Sequence, residues 1–125
     1  MELHSSGEDY LKAILTLQKE NGLVRAMDIA QLLAVKRPSV SRALKRLREG
    51  GLLFTDAERH IFLTREGREA AERILRTHHV LKTFLISIGV DPRIAEQDAC
   101  RMEHGLSPET FDQLNAFAGK QEAEL

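Results

Sequence analysis

Near residue 100 the chain reads Asp98-Ala99-Cys100-Arg101-Met102-Glu103-His104, so its single cysteine stands three residues before a carboxylate and four before an imidazole. On an α-helix those spacings place Cys100, Glu103 and His104 on one face. Thiolate, carboxylate and imidazole each give a lone pair to a divalent transition metal once deprotonated. Three donors fall short of a full shell, so other segments would have to supply the rest. The same residues raise a second chemistry, with Cys100 as nucleophile and His104 or His78 as base. Nothing supports it: no oxyanion feature is identifiable, and the sequence has neither a glycine-rich phosphate loop nor an HExxH motif. The chain is not read as an enzyme.

The elements that carry these donors follow from periodicity. Asp91-Pro92 starts the helix bearing Cys100 and Gly105 ends it, with Ile94, Ala95, Ala99 and Met102 as its packing stripe and Glu96, Cys100, Glu103 and His104 on a neighbouring face. A long helix from Arg65 to about Ile88 is signalled by Ala71, Ile74, Leu75, Leu81, Phe84, Leu85 and Ile88. His78 falls on that apolar stripe and His79 does not. By itself His78 reads either as a hydrogen-bonded core histidine or as a ligand. Ser5-Ser6-Gly7-Glu8-Asp9 opens a first helix that runs through Leu11, Ile14, Leu15 and Leu17 to Asn21-Gly22. Asp9 reads first as a carboxylate at the positive end of that helix, with ligation as the alternative. Ser107-Pro108-Glu109 begins a last helix anchored by Phe111, Leu114 and Phe117, and the tail from Gly119 reads as frayed.

Between the first helix and the long one lies a different surface. A short helix over Arg25 to Val35 turns Ile29, Leu32 and Leu33 inward, and after a tight connection at Ala34-Val35 a second helix begins near Arg37-Pro38 and stops at Gly50-Gly51. Two helices joined this closely form a helix-turn-helix, whose second helix can lie in the major groove of DNA. Val40, Leu44 and Leu47 hold it to the core, while Arg37, Pro38, Ser39, Ser41, Arg42, Lys45 and Arg46 are the residues expected to meet phosphates and bases. No acid interrupts the span from Ile29 to Arg48. The plain alternative is a solvated basic face. Leu52-Leu53-Phe54-Thr55 and Ile61-Phe62-Leu63-Thr64 are strand-like and form a hairpin, the wing of a winged helix, with Arg59 and His60 placed to reach the DNA backbone or minor groove.

The formal net charge of -1 over 125 residues therefore hides a basic front half and a back half, from Asp91 onward, that is rich in acids. A lone cysteine makes no internal disulfide, no run is apolar enough for a membrane span, and the N-terminus lacks a signal-peptide pattern. The expectation is a cytoplasmic protein with a reduced thiol and no membrane partner.

From Glu8 to about Phe117 the sequence resembles the diphtheria toxin repressor family of metal-dependent transcriptional regulators, which includes iron-dependent repressors and the manganese transport regulator. The resemblance rests on Glu8-Asp9-Tyr10-Leu11-Lys12-Ala13-Ile14, Asp28-Ile29-Ala30, Pro38-Ser39-Val40-Ser41, Leu63-Thr64 with Gly67, and Glu103-His104-Gly105-Leu106-Ser107. It implies a mainly α fold in two domains: a winged helix-turn-helix over 1–64 that binds operator DNA, and a helical dimerisation and metal-binding domain over 65–125. The chain resembles the short members, without the additional C-terminal domain of the longer iron repressors. The implied function is a metal-responsive regulator, a repressor that binds double-stranded operator DNA as a homodimer when loaded with Fe(II) or Mn(II) and so controls metal homeostasis. The alternative is a winged-helix DNA-binding or interaction protein with a vestigial metal site.

Carried over by position, the resemblance implies ligation by Asp9, His78, Cys100, Glu103 and His104. Cysteine is the iron repressors' choice at position 100 and aspartate the manganese regulators' choice at position 9, so donor softness keeps Fe(II) and Mn(II) both in play, with Zn(II) or Co(II) as substitutes. Lys12 and Lys82 stand where family members carry carboxylates of a second site, and an ammonium repels a second cation. The expectation is one main site per subunit, with Glu96 a weaker candidate that could partly rebuild a second one beside His78.

Overall fold

A computed structural model describes the backbone of residues 5–123 and the side chains of residues 7–118. Helices α1 (Ser5–Asn21), α2 (Ala26–Leu33) and α3 (Arg37–Glu49) are followed by strands β1 (Leu53–Thr55) and β2 (Ile61–Leu63), then by helices α4 (Arg65–Ser87), α5 (Pro92–Met102) and α6 (Pro108–Ala123). The chain forms two compact units, Met1–Glu72 and Arg73–Leu125. The division falls inside α4, eight residues beyond the Thr64/Arg65 boundary read from the sequence.

In the first unit α1 buries Leu11, Ile14 and Leu15 completely, and it packs on α2, α3 and β2. The turn between α2 and α3 is made by Ala34 in the left-handed region (φ 55, ψ 46), where Val35 donates its amide to Ala30 O at 3.1 Å. Alanine rather than glycine takes this conformation, which costs an L-residue about 1–2 kcal/mol. Helix α3 has Pro38 in its first turn and sends Val40, Leu44 and Leu47 into the core, the three residues that the periodicity selects. In α2 Ile29 is fully buried, but Leu32 is 49% exposed, against its expected inward position: the helix is only 8 residues long and buries one stripe.

The wing is an antiparallel pair with Leu53 opposite Leu63, Phe54 opposite Phe62 and Thr55 opposite Ile61. Alternation puts Leu53 and Ile61 in the core, while Phe54 and Phe62 stack on the other face with ring centroids 5.4 Å apart. Ile61 donates its amide to Val24 O at 2.8 Å, tying the wing to the α1–α2 connection. Thr64 locks the exit into α4. Its amide reaches Leu52 O at 3.1 Å, its hydroxyl donates to Gly51 O at 2.7 Å, and the same hydroxyl accepts from Gly67 N–H at 3.1 Å. Gly67 lies so close to the residue preceding β1 that a Cβ there would stand 1.9 Å from Leu52 O, which explains a glycine inside a helix.

In the second unit Ile74, Leu81, Ala95 and Ala99 are buried, and Phe84 meets Phe117 edge to face at 6.0 Å. Helix α5 is capped by Asp91, whose side chain accepts from Arg93 N–H at 2.9 Å, with Pro92 as first residue. It ends at Met102, three residues before Gly105, so Glu103 is its C-cap and His104 lies in the following turn. Of the stripe expected on α5, Ala95 and Ala99 are buried, but Ile94 (46%) and Met102 (40%) are exposed, as are Ile88 (62%) on the α4–α5 connection and Phe117 (46%) on α6. Helix α6 continues past Gly119 to Ala123, since one interior glycine costs only about 0.5–1 kcal/mol and need not end a helix. Among the described residues no helix is long and apolar enough to cross a membrane.

Candidate metal centre and nucleic-acid interface

The imidazole of His78, on α4, is the hub of a polar cluster in the second unit. Its Nδ1 lies 2.7 Å from Glu103 Oε2 and 3.8 Å from Cys100 Sγ, and its Nε2 lies 3.0 Å from Glu96 Oε1. Glu103, at the end of α5, has a completely buried side chain, and its Oε1 stands 3.5 Å from His104 Nε2. Carboxylates are rarely buried unless paired, and two imidazoles answer for this one. His78, Glu96 and Cys100 each bring a candidate ligand atom, and these atoms all lie within 4.8 Å of one another.

The local sequence explains the convergence. His78 and Lys82 are one turn apart on α4, and Glu96 and Cys100 one turn apart on α5, so two facing helices present two residues each. Lys82 Nζ sits 3.0 Å from Glu96 Oε2, leaving Glu96 held on one oxygen by an ammonium and on the other by His78. The Lys82 ammonium, then the His78 ring, hold the Glu96 carboxyl below the usual carboxylate range against the opposing effect of burial. The sequence placed a cation at position 82 but gave no sign of this ion pair, because the partner lies on another helix 14 residues away.

The donor set suits a divalent transition ion: two imidazoles, a thiol and a buried carboxylate, with nitrogen, sulfur and oxygen mixed as Fe(II), Co(II) and Zn(II) accept them. Of the six residues expected at the metal, the structure gathers His78, Cys100, Glu103, His104 and Glu96 in the second unit. Asp9 stands on α1, in the first unit.

On the first unit α3 exposes Arg37, Pro38, Ser41, Arg42, Lys45 and Arg46, while Ser39 is half-buried. Ser39 Oγ accepts from Arg42 Nη2 at 3.5 Å, a long contact that loosely steers the guanidinium. From Ser39 to Arg48 the exposed residues are polar or basic, and Val40, Leu44 and Leu47 are buried. At the wing the two expected residues part. Arg59 is exposed at the turn in the left-handed region (φ 67), but His60 is only 8% exposed. The His60 Nδ1 lies 2.9 Å from Asp56 Oδ2, and Asp56 Oδ1 accepts the amides of Glu58 and His60 at 2.9 and 2.8 Å. Slight burial raises the Asp56 carboxyl, but the His60 ring, these amides and the charge of His60 outweigh it and leave the group below its ordinary value. The ring of His60, expected at the tip of the wing, instead lies against the turn, where it braces an Asx-type motif built on Asp56.

Comparison with known proteins agrees with this geometry. Residues 2–61 match the family described as "Iron dependent repressor, N-terminal DNA binding domain", and residues 64–123 match "Iron dependent repressor, metal binding and dimerisation domain". The chain is 40% identical over 116 residues, 93% of its length and 75% of the relative's, to the transcriptional regulator MntR of Escherichia coli O6:H1. It is 35% identical over 120 residues, 94% of its length and 96% of the relative's, to an uncharacterized HTH-type transcriptional regulator of Methanocaldococcus jannaschii. A solved manganese-dependent transcriptional repressor in complex with manganese superposes with a TM-score of 0.80 at 30% identity, over 90% of this chain and 52% of that one. With both halves matched in order and a curated relative covered over three quarters of its length, the chain belongs to the iron-dependent repressor family of metal-dependent transcriptional regulators.

Proposed function

We propose that the chain is a homodimeric repressor that binds operator DNA through α3 and the Arg59 tip of the wing when the cluster around His78 holds Fe(II) or Mn(II). The observation that carries the reading is the gathering of His78, Cys100, Glu103 and His104 in one cluster with the Glu103 carboxylate buried, in a chain whose other unit presents a basic helix face. His78, Cys100, Glu103 and His104 are the ligands, with Asp9 added on the strength of the family resemblance, and one ion is held per subunit. The thiol of Cys100 favours Fe(II), with Zn(II) and Co(II) as substitutes, and the carboxylate of Asp9 favours Mn(II). A bound ion supplies the positive charge that lets deprotonated Cys100 and Glu103 lie side by side.

The DNA contacts are those expected from the sequence without His60: Arg37, Pro38, Ser39, Ser41, Arg42, Lys45 and Arg46 on α3, and Arg59 on the wing. The exposed Ile88, Ile94, Met102 and Phe117 supply the self-association face. The protein acts in the cytoplasm, on the promoters of metal-uptake genes.

Operator binding measured by fluorescence anisotropy with added Fe(II), Mn(II) or chelator tests this reading. Metal is expected to tighten binding about 5- to 150-fold, the usual range of allosteric coupling. Equal affinity in metal and in chelator would refute it. Glu103→Ala is expected to abolish the metal response while leaving the weak, salt-sensitive DNA binding of the metal-free protein.

A further inference from the structure

The two nitrogens of His78 face chemically different surroundings. On the Nδ1 side stand the buried carboxylate of Glu103 at 2.7 Å and the Cys100 sulfur at 3.8 Å. On the Nε2 side stands Glu96 at 3.0 Å, half-exposed and already neutralised on its other oxygen by the Lys82 ammonium at 3.0 Å. A neutral imidazole has one N–H and one lone pair, and a ligating histidine commonly gives its second N–H to a carboxylate that fixes the ring. Compactness alone would admit Glu96 as a ligand, since its oxygen lies with His78 and Cys100 inside 4.8 Å. The ammonium decides otherwise, because a metal ion at Glu96 would have to share that carboxylate with a fixed positive charge.

We propose that Glu96 is the positioning residue of the metal centre and not a ligand: clamped by Lys82, it accepts the Nε2–H of His78 and presents Nδ1 as the ligand nitrogen to the side of Cys100 and Glu103. The inference rests on the metal-sensor reading above and adds an assignment to it. Lys82 acts only through Glu96. Its ammonium keeps the carboxylate as a hydrogen-bond acceptor, and residue 82 thereby holds the centre to one ion.

The test uses the full-length protein loaded with Zn(II), a diamagnetic probe. Long-range proton–nitrogen spectra of the histidines are expected to show His78 protonated at Nε2 and metal-bound at Nδ1, with one Zn(II) per subunit by equilibrium dialysis. Glu96→Ala is expected to keep one ion at roughly 10-fold weaker affinity, the lower end of what outer-shell partners contribute. Glu96→Gln, whose amide oxygen still accepts from Nε2–H, loses less. Lys82→Met weakens binding no more than Glu96→Ala does, and the double variant matches Glu96→Ala, as a residue acting through another requires. A metal-bound Nε2, loss of the ion in Glu96→Ala, or a second ion or tighter binding in Lys82→Met would each overturn the assignment. A wild-type protein that takes up no Zn(II), Mn(II) or Fe(II) would defeat the sensor reading itself, whereas metal-coupled operator binding with Nε2 metallated would defeat the assignment alone.

Discussion

The wing turn is decided by one carboxylate. Asp56 accepts two backbone amides and faces the ring of His60, and together these hold its carboxyl below the ordinary 3.8. A group whose folded pKa is depressed stabilises the protein above its unfolded pKa and stops doing so as pH falls through the folded value. Asp56→Asn keeps a side-chain acceptor but has no charge to lose. The stability gap between wild type and Asp56→Asn, measured by urea titration, is therefore expected to be present from neutral pH down to about 4 and to close at more acidic pH. A gap independent of pH would show that the amide contacts alone hold the turn. At the same scale, the side chain of Glu103 is fully buried with His78 Nδ1 2.7 Å from one oxygen and His104 Nε2 3.5 Å from the other.

At the scale of elements, the joint between the wing and α4 is the least forgiving place in the first unit. Thr64 bonds the strand base and caps the helix, and Gly67 lets α4 approach the Leu52 carbonyl more closely than any side chain allows. Gly67→Ala ordinarily gains helix propensity. Here the added methyl meets backbone that cannot rotate away, so it is expected to destabilise by about 1–3 kcal/mol or more, the range of overpacked sites. Chemical denaturation gives the sign directly: a more stable variant would mean that α4 can lift off Leu52 at little cost.

Charge and exposed apolar surface are properties of the whole molecule. Its net charge is near zero, yet α3 carries a basic face, so DNA affinity should follow local rather than net charge. Lys45→Ala is expected to lower affinity for every DNA sequence alike and to reduce the slope of log K against log salt by about 1, the signature of one lost phosphate contact. A loss confined to one operator sequence would make Lys45 a base reader instead. In the second unit, Ile88, Ile94, Met102 and Phe117 are too exposed to contribute much to a monomer's core. Ile94→Glu is expected to shift sedimentation from dimer to monomer while leaving the thermal transition of the first unit in place. An unchanged dimer would move the interface elsewhere.

Much of this protein is written in short-range pattern. The apolar spacing of α3, the Asp91-Pro92 start of α5 and the hairpin strands are local signals, and local hydrogen bonding and burial realise them as read. The spacing of Cys100, Glu103 and His104 also marked them as neighbours, although α5 ends at Met102 and leaves Glu103 at its C-cap and His104 in the turn beyond. What the sequence by itself could not determine is which residues meet across elements. His60 turned inward because Asp56 outbids solvent for its ring, and Ile94 and Met102 stayed exposed because one small unit cannot cover every face of its helices. The pairing of Lys82 with Glu96, and of each with His78's surroundings, exists only once α4 and α5 lie side by side. Whether a carboxylate serves as ligand or as support is settled by such neighbours, since Coulomb attraction depends on distance in space and not along the chain.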